Sequence, residues 1–445
     1  MDKNYYITTP IYYPSARPHM GHAYSSIVAD FFARFKRIDG FNVHFLTGTD
    51  EHGLKIQRAA ERKKIDPQTF CDEISQTFRD LSKTLNLSNT DFIRTTEERH
   101  KKTVQHLWNE LEKNDDIYLS KYSGWYSVSD EAYYSDEEIS EKENVKIATS
   151  SGSPVEWIEE ESYFFRLSKW QDKLLNYYEK NPDFISPKSR KNEVISFVKG
   201  GLKDLSISRK AFSWGIKVPN SPDHVIYVWL DALTNYISAL NYPDTNDELF
   251  KKFWPASVHL IGKDILRFHS VYWPAFLMAA KIPLPKKVYG HGWILSGDEK
   301  MSKSKGNILD PLDIIEIYGL DPLRYYLIKE VSFGNDGNIS QDRLEDCINS
   351  DLANNYGNLC QRVTAFAEKN CSSLVPDITK FNDDDFIMDY SCGTGIFPER
   401  LLKSTVSCPR ILMMDSSPKY LKLSYDKLRF SLIKLPSVFI LIRLP

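Results

Sequence analysis

Residues 4–50 read NYYITTPIYYPSARPHMGHAYSSIVADFFARFKRIDGFNVHFLTGTD. The run 4–9 is rich in Tyr, Ile and Thr, which predicts a short buried strand. Apolar residues recur at helical spacing over 21–35, and a second strand is expected over 41–46. Strand, loop, helix and strand in this order form the βαβ unit of a parallel, doubly wound sheet. The sequence therefore predicts an α/β protein.

The size and composition of the chain restrict the remaining classes. Its 445 residues suffice for two or three domains, and 42% hydrophobic with 26% charged residues are typical of a globular protein. The formal net charge is only -3, so a nucleic-acid partner would need a local basic face. The six cysteines form no CxxC pair. We expect a cytoplasmic protein with no membrane-spanning segment, no secretion leader and neither a membrane nor DNA as its partner.

Two short segments, far apart in the chain, carry chemistry. His19-Met20-Gly21-His22 stands where the first helix begins, and Lys300-Met301-Ser302-Lys303-Ser304 stands on a Gly- and Ser-containing loop. A helix N-terminus offers backbone donors to phosphate, and Gly21 lets a nucleotide approach the backbone. Two lysines on a mobile loop can close over phosphates. Each segment alone is more often a surface turn or a solvated loop, but together they favour an ATP site.

The two segments together resemble the signatures of class I aminoacyl-tRNA synthetases, whose fold is Rossmann-like. The preceding run PIYYP at 10–14 narrows the resemblance to methionyl-tRNA synthetases. The similarity runs from residue 4 to about residue 370 and includes TGTDEHG at 47–53, WLDAL at 229–233 and IGKDI at 261–265. The resemblance implies a methionine–tRNA ligase that forms methionyl-adenylate from methionine and ATP, with Mg²⁺, and then charges tRNA(Met).

The resemblance also assigns roles to individual residues. The catalytic residues that it implies are His19, His22, Lys300 and Lys303. The ATP-binding residues that it implies are these four together with Gly21, Gly262 and Asp264. The residues implied to bind methionine are Ile11, Tyr13, Asp50, Trp229, Ala232, Leu233, Tyr236, Ile265, His269 and Trp273. Aspartate suits an ammonium group in an apolar pocket, and aromatic rings suit a thioether.

One departure from the family concerns zinc. Many relatives carry a zinc knuckle in the insertion between the two halves of the catalytic domain, whereas here Ser127 and Asp130 stand where cysteines would be. The stretch 148–152 contains neither Cys nor His, and structural zinc sites need thiolates or imidazoles. We therefore predict no zinc and no other protein-bound metal site, as in the zinc-free bacterial branch.

The chain is expected to have five parts. A Rossmann-like first half covers 1–117, and a connective insertion without zinc covers 118–210. The second half covers 211–309, with strands predicted at 225–230, 257–261 and 287–289. A linker and a truncated α-helical anticodon-binding region cover 310–380; there Asn358 and Arg362, one helical turn apart, match the residues that read the anticodon.

The fifth part, 381–445, resembles the opening of an S-adenosylmethionine-dependent methyltransferase. The run DYSCGTG at 389–395 follows a predicted strand, and a second predicted strand ends at Asp415. In that fold the glycines admit the cofactor and the acidic residue binds its ribose. We expect only a partial βαβ tail that does not methylate, because a cofactor crevice requires several such units.

Three other functions stay open on the sequence. The chain could be a class I ligase for leucine, isoleucine, valine or cysteine, although its short insertion argues against this. It could be a tRNA-binding paralogue with weak or no catalysis, although both nucleotide signatures are intact. It could also be a methyltransferase with an appended synthetase-like module. A fusion product with a non-functional methyltransferase fragment is a further alternative.

Overall fold

A computed structural model describes residues 3–14, 17–128, 130, 132–142, 145–296, 299–300, 310–371, 386–390, 410–415 and 439–443. By its internal contacts the chain divides into one unit of residues 1–350 and a second of residues 351–445. The α-helices are α1 (Met20–Ile38), α2 (Leu54–Lys63), α3 (Pro67–Thr84), α4 (Glu98–Lys113), α5 (Gln171–Lys180), α6 (Lys188–Lys199), α7 (Val228–Leu233), α8 (Asn235–Ser238), α9 (Glu248–Phe253), α10 (Trp273–Ala279), α11 (Pro311–Tyr318), α12 (Leu320–Glu330), α13 (Gln341–Cys347) and α14 (Asn358–Cys371).

Most strands are short, apart from two in the insertion, and they alternate with the helices over much of the chain. They are β1 (Asn4–Thr8), β2 (Asn42–Thr49), β3 (Asp91–Arg94), β4 (Ile117–Ser127), β5 (Ala132–Tyr134), β6 (Ile139–Lys142), β7 (Val145–Ala148), β8 (Glu156–Phe165), β9 (Ile185–Ser186), β10 (Leu205–Ser206), β11 (Ser208–Arg209), β12 (Lys217–Val218), β13 (Ser221–Ile226), β14 (Val258–Gly262), β15 (Val288–His291), β16 (Ile294–Ser296), β17 (Glu299–Lys300), β18 (Gly337–Ile339), β19 (Phe386–Tyr390), β20 (Arg410–Asp415) and β21 (Phe439–Arg443).

A parallel six-stranded sheet in the order β3-β2-β1-β14-β15-β9 forms the centre of the first unit. Asn4 pairs with Asn42 on one side of β1, and Ile7 pairs with Val258 on the other. This confirms the predicted α/β class and the opening βαβ unit. The strand order reverses between β1 and β14, and ligands of such sheets bind in the crevice at that point, beyond the carboxyl ends of the strands.

Both faces of the sheet are buried, as expected for a parallel sheet covered by helices. Successive residues of a strand point to opposite faces, so neighbours along each strand enter different cores. Tyr6 and Leu46 belong to one apolar cluster, whereas Ile7 and Phe45 belong to the other. The first cluster continues into helices α4, α7 and α10, and the second includes the inner side of α1 and of α12.

The strand predicted at 225–230 does not belong to the central sheet. Residues Ser221–Ile226 form the middle strand of a separate antiparallel sheet, β11-β13-β12, and α7 begins at Val228. A short apolar run is compatible with a strand or a buried helix, and periodicity alone does not separate them. The central sheet resumes only at β14, in agreement with the strand predicted at 257–261.

The insertion is built on an antiparallel sheet in the order β10-β8-β4-β5. Its two helices, α5 and α6, flank β9, and β9 pairs in parallel with β15 at the edge of the central sheet. The insertion thus contributes one strand to the catalytic sheet. Further along, the helices predicted over 310–369 appear as α11 to α14, with the unpredicted strand β18 between α12 and α13.

The second unit contains α14 and a parallel sheet in the order β19-β20-β21. Phe386 pairs with Arg410, and Ile411 pairs with Phe439. Asp415 ends β20, as the sequence predicts, whereas the glycines of the run at 391–395 lie outside the described residues. The relation of this tail to methyltransferases stays a prediction.

Candidate active site

The HMGH segment forms the start of α1, beside the point where the strand order reverses. His19 is the N-cap residue, and its Nδ1 accepts a hydrogen bond from the backbone N–H of Gly21 (3.1 Å). The Nδ1 of His22 accepts in turn from the backbone N–H of His19 (3.1 Å). The two rings therefore build a capping box, and in their neutral forms the proton lies on Nε2. A Cβ at Gly21 would lie 3.0 Å from the His19 ring, so a larger residue here would displace that ring slightly.

The second histidine of the segment is held by aromatic side chains. The His22 ring lies against Tyr12 and Phe78, with ring centroids 4.8 Å and 5.3 Å away. Burial, with the nearby His19, holds the pKa of His22 well below its usual range. The imidazole is therefore neutral at pH 7 and can donate to a phosphate oxygen without a positive charge of its own. From the sequence, Tyr12 was named only as part of the run at 10–14, without a role in the site, and Phe78 was not singled out.

Asp50 follows the end of β2. Its backbone N–H donates to the carbonyl of Tyr12 (2.9 Å), and the Tyr12 N–H donates to Gly48 (2.8 Å). These bonds hold Asp50 beside the segment that contains Ile11 and Tyr13. Asp50 is buried, with only 7% of the residue exposed.

A hydrogen-bonded pair of aromatic residues stands in the predicted side-chain pocket. The Tyr236 hydroxyl lies 2.7 Å from Nε2 of His269, and Nδ1 of His269 lies 3.0 Å from the carbonyl of Ile265. A carbonyl only accepts, so Nδ1 carries the proton and Nε2 accepts from the tyrosine. Burial lowers the pKa of His269 to about 4, in keeping with this neutral tautomer. His269 belongs to a π-helical turn, a geometry frequent at functional sites.

Two predicted tryptophans of the pocket lie beside this pair. The ring centroid of Trp229 lies 6.4 Å from that of His269 and 3.6 Å from that of Phe268, on which Trp229 stacks. The ring centroid of Trp273 lies 6.1 Å from that of Tyr236. One apolar cluster contains Ile11, Tyr13, Trp229, Leu233, Tyr236, Ile265 and Trp273. Ala232, which is 5% exposed, precedes Leu233 on α7. The structure thus brings Trp229, Tyr236, Ile265, His269 and Trp273 together, and adds Phe268, to which the resemblance assigned no role in the pocket.

Asp264 and Gly262 lie at the end of β14. A Cβ on Gly262 would stand 2.5 Å from Oδ1 of Asp264, so glycine leaves room for this carboxylate. The indole N–H of Trp293 donates to the same oxygen (3.3 Å). Nζ of Lys263 lies 4.0 Å from the ring centroid of Trp293 and forms a salt bridge with Oδ2 of Asp336 (2.7 Å). This group joins the predicted ribose ligand to the strand β16, which leads toward residues 300–304, the KMSKS segment. Neither Trp293 nor Asp336 carries a signal in the local sequence.

The KMSKS segment falls almost wholly outside the described residues. Residues 301–309, Lys303 among them, are not described, and Lys300 is described only as a backbone position of β17 that pairs with Leu295. The end of β15, which precedes the segment in the chain, is joined to α1, since Nε2 of His291 lies 2.8 Å from the Ser25 hydroxyl. The roles of the two lysines stay predictions.

Asn358 and Arg362 lie at the start of α14 in the second unit, both exposed. The Asn358 side-chain amide donates to the carbonyl of Asn354 (2.7 Å). The same helix exposes 57% of Leu359 and 58% of Val363. The two predicted anticodon residues therefore share a helix as expected, and their role is untested.

Asp130 stands at the position where relatives have a zinc-binding cysteine. Its carboxylate accepts hydrogen bonds from the hydroxyls of Ser151 (2.5 Å), Ser153 (2.7 Å) and Tyr134 (2.7 Å), and its N–H donates to Ser127 (3.3 Å). Among the described residues, no group of three or more His, Cys, Asp or Glu side chains is arranged to hold a metal ion. In the described part of the chain no helix is long and apolar enough to cross a membrane.

The chain is similar to known proteins over most of its length. A family model described as "tRNA synthetases class I (M)" matches residues 5–364. The methionine–tRNA ligase of Rickettsia bellii is 59% identical over 380 residues, which are 85% of this chain and 74% of that ligase. That of Brucella suis is 55% identical over 383 residues, 86% and 74% of the two chains.

Solved structures agree with the sequence comparisons. Mycobacterium tuberculosis methionyl-tRNA synthetase in complex with methionyl-adenylate has a TM-score of 0.82 and 51% identity, covering 86% of this chain and 75% of that one. The apo form has a TM-score of 0.75 and 47% identity, covering 86% and 73%. With the parallel sheet, the HMGH helix start and the aromatic pocket, these matches show that the chain is a class I aminoacyl-tRNA synthetase and belongs to the methionine–tRNA ligase family.

Proposed function

We propose that this chain activates methionine with ATP at the crevice beside β1 and β14. One observation carries the proposal: the start of α1, Asp50, Asp264 and the pair Tyr236–His269 all follow the ends of parallel strands of one sheet or pack beside them. The ammonium group of methionine binds the Asp50 carboxylate, and its thioether packs against the aromatic rings.

The chemical step is a displacement at the α-phosphorus of ATP. A carboxylate oxygen of methionine forms the new P–O bond, the bond to the β-phosphate breaks, and pyrophosphate leaves with the electron pair. His19 and His22 donate from Nε2 to phosphate oxygens at the N-terminus of α1, where the positive end of the helix dipole favours negative charge. Lys300 and Lys303 stabilise the charge that grows on pyrophosphate. No covalent enzyme intermediate is required, because catalysis consists of positioning and charge stabilisation.

The second step transfers the methionyl group to tRNA(Met). A ribose hydroxyl at the end of the tRNA attacks the carbonyl carbon, AMP leaves, and the hydroxyl proton is released. We propose that this step is weaker than adenylate formation. The family match ends at residue 364, and 26% (100 − 74) of the Rickettsia bellii ligase is not covered by the alignment. Asn358 and Arg362 are the predicted anticodon contacts, and they stand at the end of the matched region.

The metal requirements follow from the donor groups. We expect Mg²⁺ to neutralise phosphate charge as a complex with ATP, because Mg²⁺ in such sites is commonly held by phosphate oxygens and water. We propose that the insertion folds without zinc, since the hydrogen bonds to Asp130 join the two sides of the former knuckle. Metal analysis of the purified protein tests this, and one stoichiometric zinc would contradict it. We also propose the cytoplasm as the site of action, which a fluorescent fusion would test.

Methionine-dependent exchange of pyrophosphate into ATP tests the first step. We expect exchange with methionine and little with leucine, isoleucine, valine or cysteine. Lys300→Ala and Lys303→Ala should lower the exchange rate more than they raise the KM for methionine, because the loop acts on the developing charge. A well-folded protein without methionine-dependent exchange would refute the proposal. Charging of tRNA(Met) measured beside exchange tests the second step, and equal efficiency of both steps would refute the predicted weakness.

A further inference from the structure

A fully buried carboxylate next to the methionine pocket has no role in the chemistry described above. Asp231 of α7 is 0% exposed. Its Oδ2 lies 2.7 Å from Nδ1 of His52, and its Oδ1 lies 2.7 Å from Nε2 of His100. Both histidines are themselves buried, at 3% and 0% exposure. Such a carboxylate is costly unless each oxygen is satisfied, so the two histidines are required partners.

The hydrogen bonds fix where the protons are. A carboxylate only accepts, so His52 presents Nδ1–H and His100 presents Nε2–H to Asp231. The remaining ring nitrogen of His100 lies 2.8 Å from the hydroxyl of Ser238. Burial alone would raise the pKa of Asp231, but the two histidines hold it below its usual range. The carboxylate is therefore ionised and bridged on both sides at pH 7.

The bridged carboxylate connects the segments that hold the two ends of methionine. His52 follows Asp50 by two residues, and its carbonyl accepts the hydroxyl of Tyr13 (2.9 Å). Asp231 itself lies between Trp229 and Leu233 on α7. Ser238 lies two residues after Tyr236 on α8. The ammonium side and the thioether side of the pocket thus meet at one carboxylate, and His100 joins both to α4.

We propose that Asp231, bridged by His52 and His100, is a positioning residue that sets the distance between the ammonium site and the thioether site for methionine. The inference rests on the proposed function, because it takes Asp50 and the aromatic pocket as the methionine site. Asp231 and His100 act through the segments that they join, and neither is assigned a contact with the reacting atoms. Methionine is a single ligand with two anchored ends, so a small relative shift of these segments weakens both contacts together.

Asp231→Asn is the first test. The amide keeps the shape of the carboxylate but replaces one acceptor by a donor, so it cannot accept from both histidines. We expect the KM for methionine in ATP–pyrophosphate exchange to rise about tenfold or more, and the KM for ATP to change less than about twofold. A KM for methionine within about twofold of the wild type, or an equal rise of both KM values, would overturn the proposal.

Asp116→Asn is the matched control. Asp116 is also buried, at 1% exposure, and its carboxylate bonds Lys169 (2.8 Å) and the indole of Trp170 (3.1 Å) where the insertion begins. We expect this variant to lower the melting temperature while both KM values stay unchanged. The control separates loss of a buried carboxylate from loss of the pocket geometry.

Two substitutions of His100 keep the proposal testable if Asp231→Asn does not fold. His100→Gln retains a side-chain N–H at the position of Nε2, whereas His100→Leu removes it. We expect a KM for methionine near the wild-type value in the first and about tenfold higher in the second. Equal KM values in both variants would overturn the proposal.

The wild type separates the two levels of the argument. A wild-type protein that exchanges with methionine while the variants keep its KM would refute only the positioning role. A wild-type protein that neither exchanges nor binds methionine by calorimetry would refute the proposed function and the inference together.

Discussion

Gly262→Ala tests the assignment of Asp264 to the ATP ribose. Gly262 has φ -69° and ψ 147°, which alanine adopts without strain, so the substitution acts only through its methyl group. That Cβ would lie 2.5 Å from Oδ1 of Asp264, whereas ordinary van der Waals contact begins at 3.4 Å. The carboxylate must therefore retreat by about 1 Å. The retreat also breaks or lengthens the bond from Trp293, which is already 3.3 Å long.

The expected loss follows from the displaced carboxylate. A hydrogen bond to a charged group contributes about 1.5–3 kcal/mol, so its loss raises the KM for ATP by roughly tenfold to a hundredfold. The KM for methionine should change less than about twofold, because the pocket around Tyr236 and His269 is untouched. The assay is ATP–pyrophosphate exchange with each substrate varied in turn.

Deoxynucleotides make the test specific to the ribose. The wild type should prefer ATP over 2′-deoxy-ATP or 3′-deoxy-ATP, whichever lacks the hydroxyl that Asp264 accepts, and Gly262→Ala should lose this preference. Gly290→Ala is the control, since its Cβ comes no closer than 3.3 Å to a side-chain carbon of Leu266. An undiminished preference for ATP in Gly262→Ala would refute the reasoning.

Three further expectations concern the pocket and the fold. Tyr236→Phe leaves Nε2 of buried His269 without its donor at 2.7 Å, so the unfolding free energy should fall by about 1–3 kcal/mol and the KM for methionine should rise. The control Tyr326→Phe removes another buried hydroxyl, which bonds Ser340, and should lower stability without raising that KM; an equal KM for methionine in the two variants would contradict the assignment. The pKa of His269 is lowered from 6.5 to about 4, so between these pH values the unfolded chain binds a proton that the folded chain does not, and the unfolding free energy should fall by up to about 3 kcal/mol as the pH drops below about 6.5. Denaturant titrations that show the same pH dependence for the wild type and for His269→Gln would rule this out. Asp30→Asn removes a fully buried carboxylate that accepts a hydrogen bond from Arg324 (2.5 Å). This substitution should lower the unfolding free energy by about 3 kcal/mol with little change in the KM for methionine or for ATP, and a variant as stable as the wild type in denaturant would disprove the expectation.

Much of the site could be predicted from local sequence. The HMGH segment follows a predicted strand, and a helix that begins there must place the positive end of its dipole at that point. Asp50 follows the second strand, and the carboxyl ends of parallel strands meet at one edge of the sheet. The aromatic pocket came from the resemblance, because single aromatic residues carry no signal that separates a pocket from a core.

Other site residues have no local signal. Trp293 and Asp264 are 29 positions apart, and the bond between them depends on the neighbouring positions of β14 and β15 in the sheet. His100 lies on a helix whose sequence is consistent with simple amphipathic packing. The bridge from His100 to Asp231 spans 131 positions, and no spacing rule reaches that far.

By itself, the sequence determined the class of the protein, its opening βαβ unit, the two nucleotide segments and the family. These features depend on short-range periodicity and on motifs whose residues are neighbours in the chain. Only the tertiary structure decided that 221–226 forms a separate sheet, that β9 of the insertion joins the catalytic sheet, and that Asp231 meets two distant histidines. The physical reason is that strand pairing and buried charge pairing are settled by long-range contacts, for which many partners are compatible with the same local sequence.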